Sequence, residues 1–187
     1  MPVEHEVKLA FDTVDAARHA VMTAGGRLDM ARRLLDDRLF DTEDQTLRQS
    51  GRALRVRRDG DRAFITFKGP VQPGAVKSRE EIETLVGSAD VAEAIVLSLG
   101  FRRWFRAEKY REEYLLGEAR VTIDETPIGV FVEIEAPPAA IDEAAARLGR
   151  GRDDYRLDSY PSLYGAWCRA HGRPFADMTF EGVRDRV

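Results

Sequence analysis

Charged side chains that alternate with apolar ones are the feature of this 187-residue chain most suited to chemistry. Glu4, Glu6 and Lys8 follow this spacing, and side chains two residues apart point to the same face of a strand. Carboxylates are hard ligands for Mg²⁺ or Mn²⁺, whereas Lys and Arg bind phosphate oxygens by charge and hydrogen bonding. Other segments repeat the pattern, with acids at Glu81, Glu83, Asp124, Glu133 and Glu135 and bases at Arg55, Arg57, Lys68, Arg79, Lys109 and Arg111.

Strands must position these side chains, because polar and apolar residues alternate with a period of two through most of the chain. Asp59 and Gly60 are typical of a hairpin turn. The doubled leucines and aspartates of 34–37 blur the limits of the second strand. The predicted strands cover residues 3–11, part of 28–41, 52–58, 62–68, 77–86, 101–116, 118–124 and 130–136.

A few segments show helical spacing instead. They are residues 13–24, 88–99, 139–148 and 160–171. Thr13 and Ser88 are the predicted N-caps of the first two. In the second helix, Val91, Ile95 and Leu99 form an apolar stripe, which we expect to cover another element.

Two arrangements could accommodate these strands. An open antiparallel sheet would be dry on its helix side and would turn its charged side to water. A closed barrel would instead gather the charged faces into one interior, with the dry faces turned outward beneath the helices. Acidic pairs and Lys/Arg pairs recur on strand after strand, whereas a solvated face usually mixes in Thr, Ser and Gln. We therefore predict an α+β fold, a closed eight-stranded antiparallel β-barrel forming a tunnel with helices packed on the outside.

A charged interior indicates a class of ligand, because buried charge is costly unless it is paired or coordinated. Divalent metal ions would neutralise the acids, and an anion would occupy the bases. A complex of Mg²⁺ or Mn²⁺ with a polyphosphate supplies both charges.

The same residues resemble the CYTH domain, or triphosphate tunnel metalloenzyme family, which groups class IV adenylyl cyclases with thiamine and inorganic triphosphatases. The resemblance covers about residues 3–136, and its opening E-x-E-x-K motif would be weak alone. The motifs occur in order as E-x-E-x-K at Glu4, Glu6 and Lys8, FDTEDQTLRQSGRALRVR, TFKGP, SREEIE, K-x-R at Lys109 and Arg111, Asp124, and VEIE at Glu133 and Glu135.

The resemblance implies a role for each of these residues. The implied ligands of one or two metal ions are Glu4, Glu6, Asp124, Glu133 and Glu135, with Glu81 or Glu83 helping at a second site. The implied phosphate-binding residues are Lys8, Arg55, Arg57, Lys68, Lys109 and Arg111. Arg79 is a further candidate that could instead pair with Glu81 or Glu83. The residues expected to be catalytic are Glu4, Glu6, Lys8, Glu133 and Glu135.

The activity that the resemblance implies is metal-dependent hydrolysis of a triphosphate, with thiamine triphosphate, inorganic triphosphate and nucleoside triphosphates as candidate substrates. The alternative enzyme is an adenylyl cyclase that converts ATP to cyclic AMP and pyrophosphate, which would need an adenine pocket near the tunnel mouth. A non-catalytic module that binds polyphosphate or nucleotide is a third possibility, although the complete acidic set disfavours it. An open-sheet structural protein without metal affinity is the fourth.

Composition restricts the compartment and the partners. Acidic residues number 33 against 29 basic ones, so no general affinity for nucleic acid or anionic membranes is expected. The single Cys168 indicates a reducing compartment, and no apolar run approaches the ~20 residues of a membrane span. We expect one cytoplasmic domain over residues 1–187, a monomer or homodimer, acting on a small-molecule triphosphate. The role of its C-terminal helical segment, about 139–175, stays open.

A few polar and aromatic residues are predicted to be structural. His5 lies on the apolar side of the first strand, which favours packing over general-base chemistry. Asp41 and Thr42 are expected to shape a turn. Tyr110 and Tyr114 alternate with the basic pair and should face outward beneath a helix.

Overall fold

Eight antiparallel strands close into a barrel in the computed structural model, which describes residues 3–184. They are β1 (Val3–Phe11), β2 (Arg27–Asp41), β3 (Ala53–Asp59), β4 (Arg62–Lys68), β5 (Lys77–Val86), β6 (Arg102–Leu116), β7 (Ala119–Thr126) and β8 (Gly129–Glu135). Their order is β1-β5-β4-β3-β2-β6-β7-β8, and β8 pairs with β1 to close the ring. The predicted fold class and closed eight-stranded barrel are confirmed.

Six helices accompany the barrel within residues 3–184. They are α1 (Val14–Thr23), α2 (Thr46–Gln49), α3 (Ala89–Ser98), α4 (Pro138–Arg147), α5 (Tyr160–Ala170) and α6 (Phe180–Arg184). The predicted N-caps are confirmed, since Thr13 Oγ1 accepts a hydrogen bond from Ala16 N and Ser88 Oγ from Val91 N. None of the described helices combines the length and the apolar composition needed to cross a membrane.

The apolar faces of the strands point outward, and the helices cover them. Val7 and Ile134 of the barrel belong to one buried cluster with Val21 of α1 and Ile141 of α4. A second cluster lies beneath α3, and a third lies beneath α5. The charged faces are left to the barrel interior, as the alternation predicts.

The apolar stripe predicted for α3 is the exception. Val91, Ile95 and Leu99 are 58%, 56% and 71% exposed. The helix turns Ala92 and Val96 toward the barrel instead, and both are almost fully buried. A small side chain such as Ala92 allows a helix backbone to approach a sheet closely, so the face with small residues is selected for packing. The expectation that the stripe covers another element is therefore wrong for the described residues.

The outward-facing aromatic and polar residues were correctly predicted. Tyr114 is buried in the cluster shared with α1 and α4, and the ring of Tyr110 lies 5.1 Å from that of Phe180 in α6. His5 Nδ1 lies 2.7 Å from Ser78 Oγ. The two tyrosines therefore face outward beneath helices, as predicted, and the ring of His5 is hydrogen-bonded to Ser78.

The C-terminal segment completes the wall of the barrel. β5 pairs with β1 only from Val3 to Glu6, which leaves the next part of β1 without a strand on that side. Lys8 and Arg156 exchange two backbone hydrogen bonds there, of 3.0 and 2.9 Å. The role that the sequence leaves open for this segment is thus, at least in part, closure of the tunnel wall.

Candidate active site in the tunnel

The barrel encloses a cavity of about 1090 Å³. All but one of the charged residues singled out from the sequence line it, and the exception is Asp124. The lining residues of that set are Glu4, Glu6, Lys8, Arg55, Arg57, Lys68, Arg79, Glu81, Glu83, Lys109, Arg111, Glu133 and Glu135. The period-two pattern therefore predicts correctly which residues meet, although they come from six strands.

One corner of the cavity carries an excess of carboxylates, and we call Glu4, Glu81 and Glu135 the acidic corner. Lys68 Nζ lies 2.9 Å from Glu4 Oε2 and 2.5 Å from Glu81 Oε2, so one cation serves two acids. Burial and a hydrogen bond with Glu81 raise the pKa of Glu4. Burial and the charge of Glu81 raise the pKa of Glu135, which forms no ion pair with any residue in 3–184. An added positive charge would therefore stabilise the acidic corner.

Positive and negative charges are balanced in a second set of residues, which we call the paired wall. It consists of Lys8, Lys109, Arg111, Asp124 and Glu133. Lys8 Nζ lies 3.2 Å from Glu133 Oε1, and Lys109 Nζ lies 2.7 Å from Asp124 Oδ2. Arg111 holds both oxygens of Asp124 at 2.6 Å and also contacts Glu133. Burial alone would raise the pKa of Asp124 and of Glu133, but the surrounding cations lower both. Each carboxylate here is already neutralised.

A third group of contacts involves Asp37, which the sequence reasoning missed. Arg57 donates two hydrogen bonds to Asp37, of 2.6 and 2.8 Å. The charges of Arg57 and Arg55, together with these bonds, outweigh burial and lower the pKa of Asp37. Arg55 donates to Thr66 Oγ1 at 3.1 Å and to Glu83 Oε2 at 3.2 Å. The arginines are thereby held against the cavity wall.

Lys77 is a second missed residue of the tunnel. Its Nζ lies 2.6 Å from Glu6 Oε1, and burial together with the charge of Lys8 lowers the pKa of Lys77 to about 8. The signal was present, because Lys77 precedes Arg79 by two residues on the same strand. Buried and almost fully enclosed, it adds a cation to the predicted set.

Arg79 is the least engaged of the predicted bases. Its Nε lies 3.8 Å from Glu4 Oε2 and makes no hydrogen bond to the described residues. Glu81 and Glu83 interact with Arg55, so the alternative in which they pair with Arg79 is wrong. A guanidinium that is free of hydrogen bonds inside the cavity can donate to a ligand.

Tyr160, at the start of α5, also lines the cavity. Its hydroxyl donates to Asp124 Oδ2 at 2.6 Å, and burial together with the charge of Asp124 raises the pKa of Tyr160 well above its ordinary value. The sequence predicts a helix beginning at this residue but contains no local signal for where the ring points. Tyr160 is therefore a protonated hydrogen-bond donor at neutral pH.

A rim of ion pairs surrounds one side of the cavity. Arg33 binds Asp59 through Nε at 2.5 Å and also contacts Glu113, while Arg120 reaches Glu113 at 2.6 Å. Arg62 adds a contact to Asp59 at 3.1 Å. These residues were not predicted.

Asp41, predicted to shape a turn, does so. Its carboxylate accepts hydrogen bonds from the backbone N–H groups of Thr42, Leu47 and Arg48, and these bonds lower its pKa against the effect of burial. It thereby fixes α2 beside the start of β3.

The site has donors of the kind a divalent cation requires. Within residues 3–184, no three carboxylate, His or Cys side chains converge in a ready-made metal geometry. The acidic corner nevertheless consists of hard oxygen donors. Burial and the neighbouring carboxylates raise the pKa of Glu4 and of Glu135, and a bound Mg²⁺ or Mn²⁺ would stabilise their charged forms. The chemistry of these residues therefore fits such an ion.

Comparison with known proteins identifies a matching family and a similar archaeal protein. The CYTH domain family model matches residues 3–148. "Putative adenylate cyclase MJ0240" of Methanocaldococcus jannaschii is 28% identical over 142 residues, which are 75% of this chain and 81% of that protein.

Solved structures share the fold. The X-ray structure of a putative adenylate cyclase from Vibrio parahaemolyticus has a TM-score of 0.75 at 20% identity, covering 87% of this chain and 97% of that one. A Hippeastrum protein, described as a putative adenylyl cyclase that reveals a dominant triphosphatase activity, has a TM-score of 0.64 at 15% identity, with coverages of 92% and 97%.

Proposed function

This chain belongs to the CYTH domain family, and on that premise we propose that it hydrolyses a triphosphate inside its tunnel with the help of divalent metal ions. The family includes triphosphatases and putative adenylate cyclases, and it is metal-dependent in general. The observation that carries the proposal is a single cavity in which a set of lysines and arginines faces a corner of surplus carboxylates. A ligand whose charges complement this cavity lining must carry both an anion and a cation.

The bases would bind and orient the triphosphate. Arg55 and Arg57 of β3 and Arg111 of β6 offer forked donors, and the nearby lysines add point charges. The resemblance implies that Asp124 and Glu133 ligate metal, but we assign these two carboxylates a different role. Because both carboxylates already accept hydrogen bonds or ion pairs from bases, they would fix those bases in place.

The acidic corner would hold the metal ion. Glu4, Glu81 and Glu135 would supply its ligands, and Glu6 lies close enough to Glu4 and Glu135 to influence their pKa values. When bound, the ion would withdraw charge from the phosphate oxygens and assist the ionisation of water.

The chain's own residues would then complete the hydrolysis. The cations neutralise the charge that moves onto the phosphate oxygens, while a tunnel carboxylate takes the proton of the attacking water. A bond forms between the water oxygen and the terminal phosphorus, and the bond to the bridging oxygen breaks. Orthophosphate and the shortened phosphate chain are the products.

Adenylyl cyclase activity is the second candidate. The name of the Methanocaldococcus jannaschii relative and the size of the cavity, about 1090 Å³, favour it. In that reaction the ribose 3′-hydroxyl would attack the α-phosphorus and release pyrophosphate. The same bases would serve, with the substrate displaced along the tunnel.

The products formed distinguish these reactions. Purified protein would be incubated with Mg²⁺ or Mn²⁺ and with tripolyphosphate, thiamine triphosphate or ATP, and the products separated by anion-exchange chromatography. Orthophosphate release that is lost in Glu135→Gln and kept in Glu118→Gln supports hydrolysis, because Glu118 is exposed and outside the cavity. Cyclic AMP with pyrophosphate would replace the hydrolase proposal with the cyclase, and no turnover would favour a binding module.

A further inference from the structure

Tyr160 reaches the tunnel from a part of the chain beyond the family match, which ends at residue 148. Ser159 caps the helix that begins at Tyr160, since Ser159 Oγ accepts a hydrogen bond from Ser162 N at 3.3 Å. The Lys8–Arg156 backbone pair anchors the chain just before this helix. The backbone leading into Tyr160 is therefore held in place by both contacts.

The hydroxyl of Tyr160 donates a hydrogen bond to a carboxylate oxygen that also accepts from two cations. Asp124 Oδ2 accepts from Tyr160 at 2.6 Å, from Lys109 at 2.7 Å and from Arg111 at 2.6 Å. Asp124 is fully buried, so bulk solvent does not screen its charge. The hydroxyl takes up part of that charge, which would otherwise draw the two cations more strongly toward Asp124 and away from the cavity.

The ring of Tyr160 contacts the same cations from another direction. Lys109 Nζ lies 4.4 Å from the ring centroid, and Lys8 Nζ lies 5.3 Å from it. Both distances are within the range of a cation–π attraction. One side chain therefore touches two predicted phosphate-binding lysines and the carboxylate that orients a third cation.

We propose that Tyr160 is a positioning residue for phosphate binding, which sets Lys109, Arg111 and Lys8 in the orientation that grips the triphosphate. The proposal rests on the triphosphate-binding part of the function given above. It also makes the C-terminal segment part of the working site rather than a cover. A purely structural role predicts a loss of stability without a change in affinity.

Removal of the hydroxyl alone separates these two roles. The ring also meets Phe131 edge-on at a centroid distance of 5.8 Å, so Tyr160→Phe keeps the apolar packing and both lysine contacts. Tyr155→Phe is the matched control, because Tyr155 donates to Asp142 at 3.0 Å and lies outside the cavity. Each variant loses one hydroxyl that bonds to an aspartate.

The measurement is the Kd of tripolyphosphate by titration calorimetry, together with KM, kcat and Tm. Tyr160→Phe should raise Kd and KM about tenfold, with a smaller change in kcat and a Tm close to that of Tyr155→Phe, because one hydrogen bond to a charged group is lost. A Kd equal to that of Tyr155→Phe would overturn the proposal.

A double-mutant cycle adds a second criterion. If Tyr160 acts through Asp124, then Tyr160→Phe should change Kd less than about twofold in an Asp124→Asn background. A full tenfold effect in that background would contradict the positioning role.

The calorimetric readout also separates this proposal from hydrolysis. Wild-type protein that binds tripolyphosphate but releases no orthophosphate would refute the proposed hydrolysis, while the comparison of Kd values would still decide the role of Tyr160. Wild-type protein that fails to bind tripolyphosphate would refute both.

Discussion

Glu133 and Glu135 lie two residues apart on β8 and face one cavity, yet the charges that surround them differ in sign. Lys109, Lys8 and Arg111 surround Glu133 and lower its pKa although its side chain is only 12% exposed. Glu135 is less enclosed, has Glu81 for a neighbour, and its pKa is raised. The comparison shows that neighbouring charges, rather than burial, decide which carboxylates of the tunnel are neutralised and which remain available to a metal ion.

The same contrast distinguishes the paired wall from the acidic corner as a whole. The paired wall is complete without a ligand, so breaking it should cost folding free energy. The acidic corner is strained by its own charge, so removing one of its members should cost metal affinity and little stability. The following experiments test this division.

The largest expected effect is on the stability of the paired wall. Arg111→Gln should lower the free energy of unfolding by about 3–5 kcal/mol, because it leaves the buried Asp124 and Glu133 short of a partner. Arg79→Gln is the matched control in the same cavity, with an expected loss of about 1 kcal/mol or less. Urea denaturation measures both. Equal losses would show that the two arginines are not distinguished by their pairing.

The acidic corner should dominate metal binding. Glu135→Gln should weaken Mn²⁺ binding by at least about tenfold, whereas Glu133→Gln should change it less, because Glu133 is already held by bases. Calorimetric titration with Mn²⁺ measures the affinities, and Glu118→Gln serves as the exposed control. A stronger effect for Glu133→Gln would reverse the assignment of the two glutamates.

Because of the lysines of the tunnel, the affinity for triphosphate should fall at alkaline pH. Burial and the charge of Arg111 lower the pKa of Lys109 to about 8, and the pKa of Lys77 is also about 8. Both lose their charge as the pH rises above this value, so tripolyphosphate affinity without metal should fall about tenfold between pH 7 and pH 9.

Lys109→Arg tests the origin of that fall, because arginine stays charged in this range. The variant should retain more of its affinity at pH 9 than the wild type does. An affinity that is constant or rises with pH in the wild type would contradict the role given to these lysines.

The smallest expected effect is the opposite pH dependence of metal binding. The pKa values of Glu4 and Glu135 are raised, so these carboxyls keep their protons to a higher pH than usual and must release them to a metal. Mn²⁺ affinity should therefore rise several-fold from mildly acidic to neutral pH. Proton release on Mn²⁺ addition, measured in buffers of different ionisation enthalpy, should disappear in a Glu4→Gln, Glu135→Gln double variant.

The sequence predicts most of the barrel and the cavity lining because one physical rule governs both. Alternation placed Glu133 and Glu135 on the inner face of β8, and the same rule would have found Lys77. It failed for Asp37, because the doubled leucines and aspartates of 34–37 hide which residues alternate, and register shifts interrupt β2 on both sides of residues 33–39. A period of two cannot be followed across such irregularities.

Long-range packing limits the rest of the prediction. The contact between Tyr160 and Asp124 joins residues 36 positions apart through a helix whose orientation no local pattern specifies. The choice of face in α3 depended likewise on the sheet beneath it, which favoured Ala92 over the larger Ile95. In both cases the partner, rather than the segment itself, determines the outcome.

The way in which β1 is enclosed has a consequence for folding kinetics. β1 pairs with β8 and with the backbone of Arg156, which both follow it in the chain by more than 100 residues. Contacts between such distant residues have a high loop-closure entropy and form slowly. The inward charges of β1 would therefore remain hydrated until that late pairing, so that their dehydration coincides with the final closure of the ring. Refolding should show a slow phase that Arg156→Pro, which removes one of the closing hydrogen bonds, lengthens further.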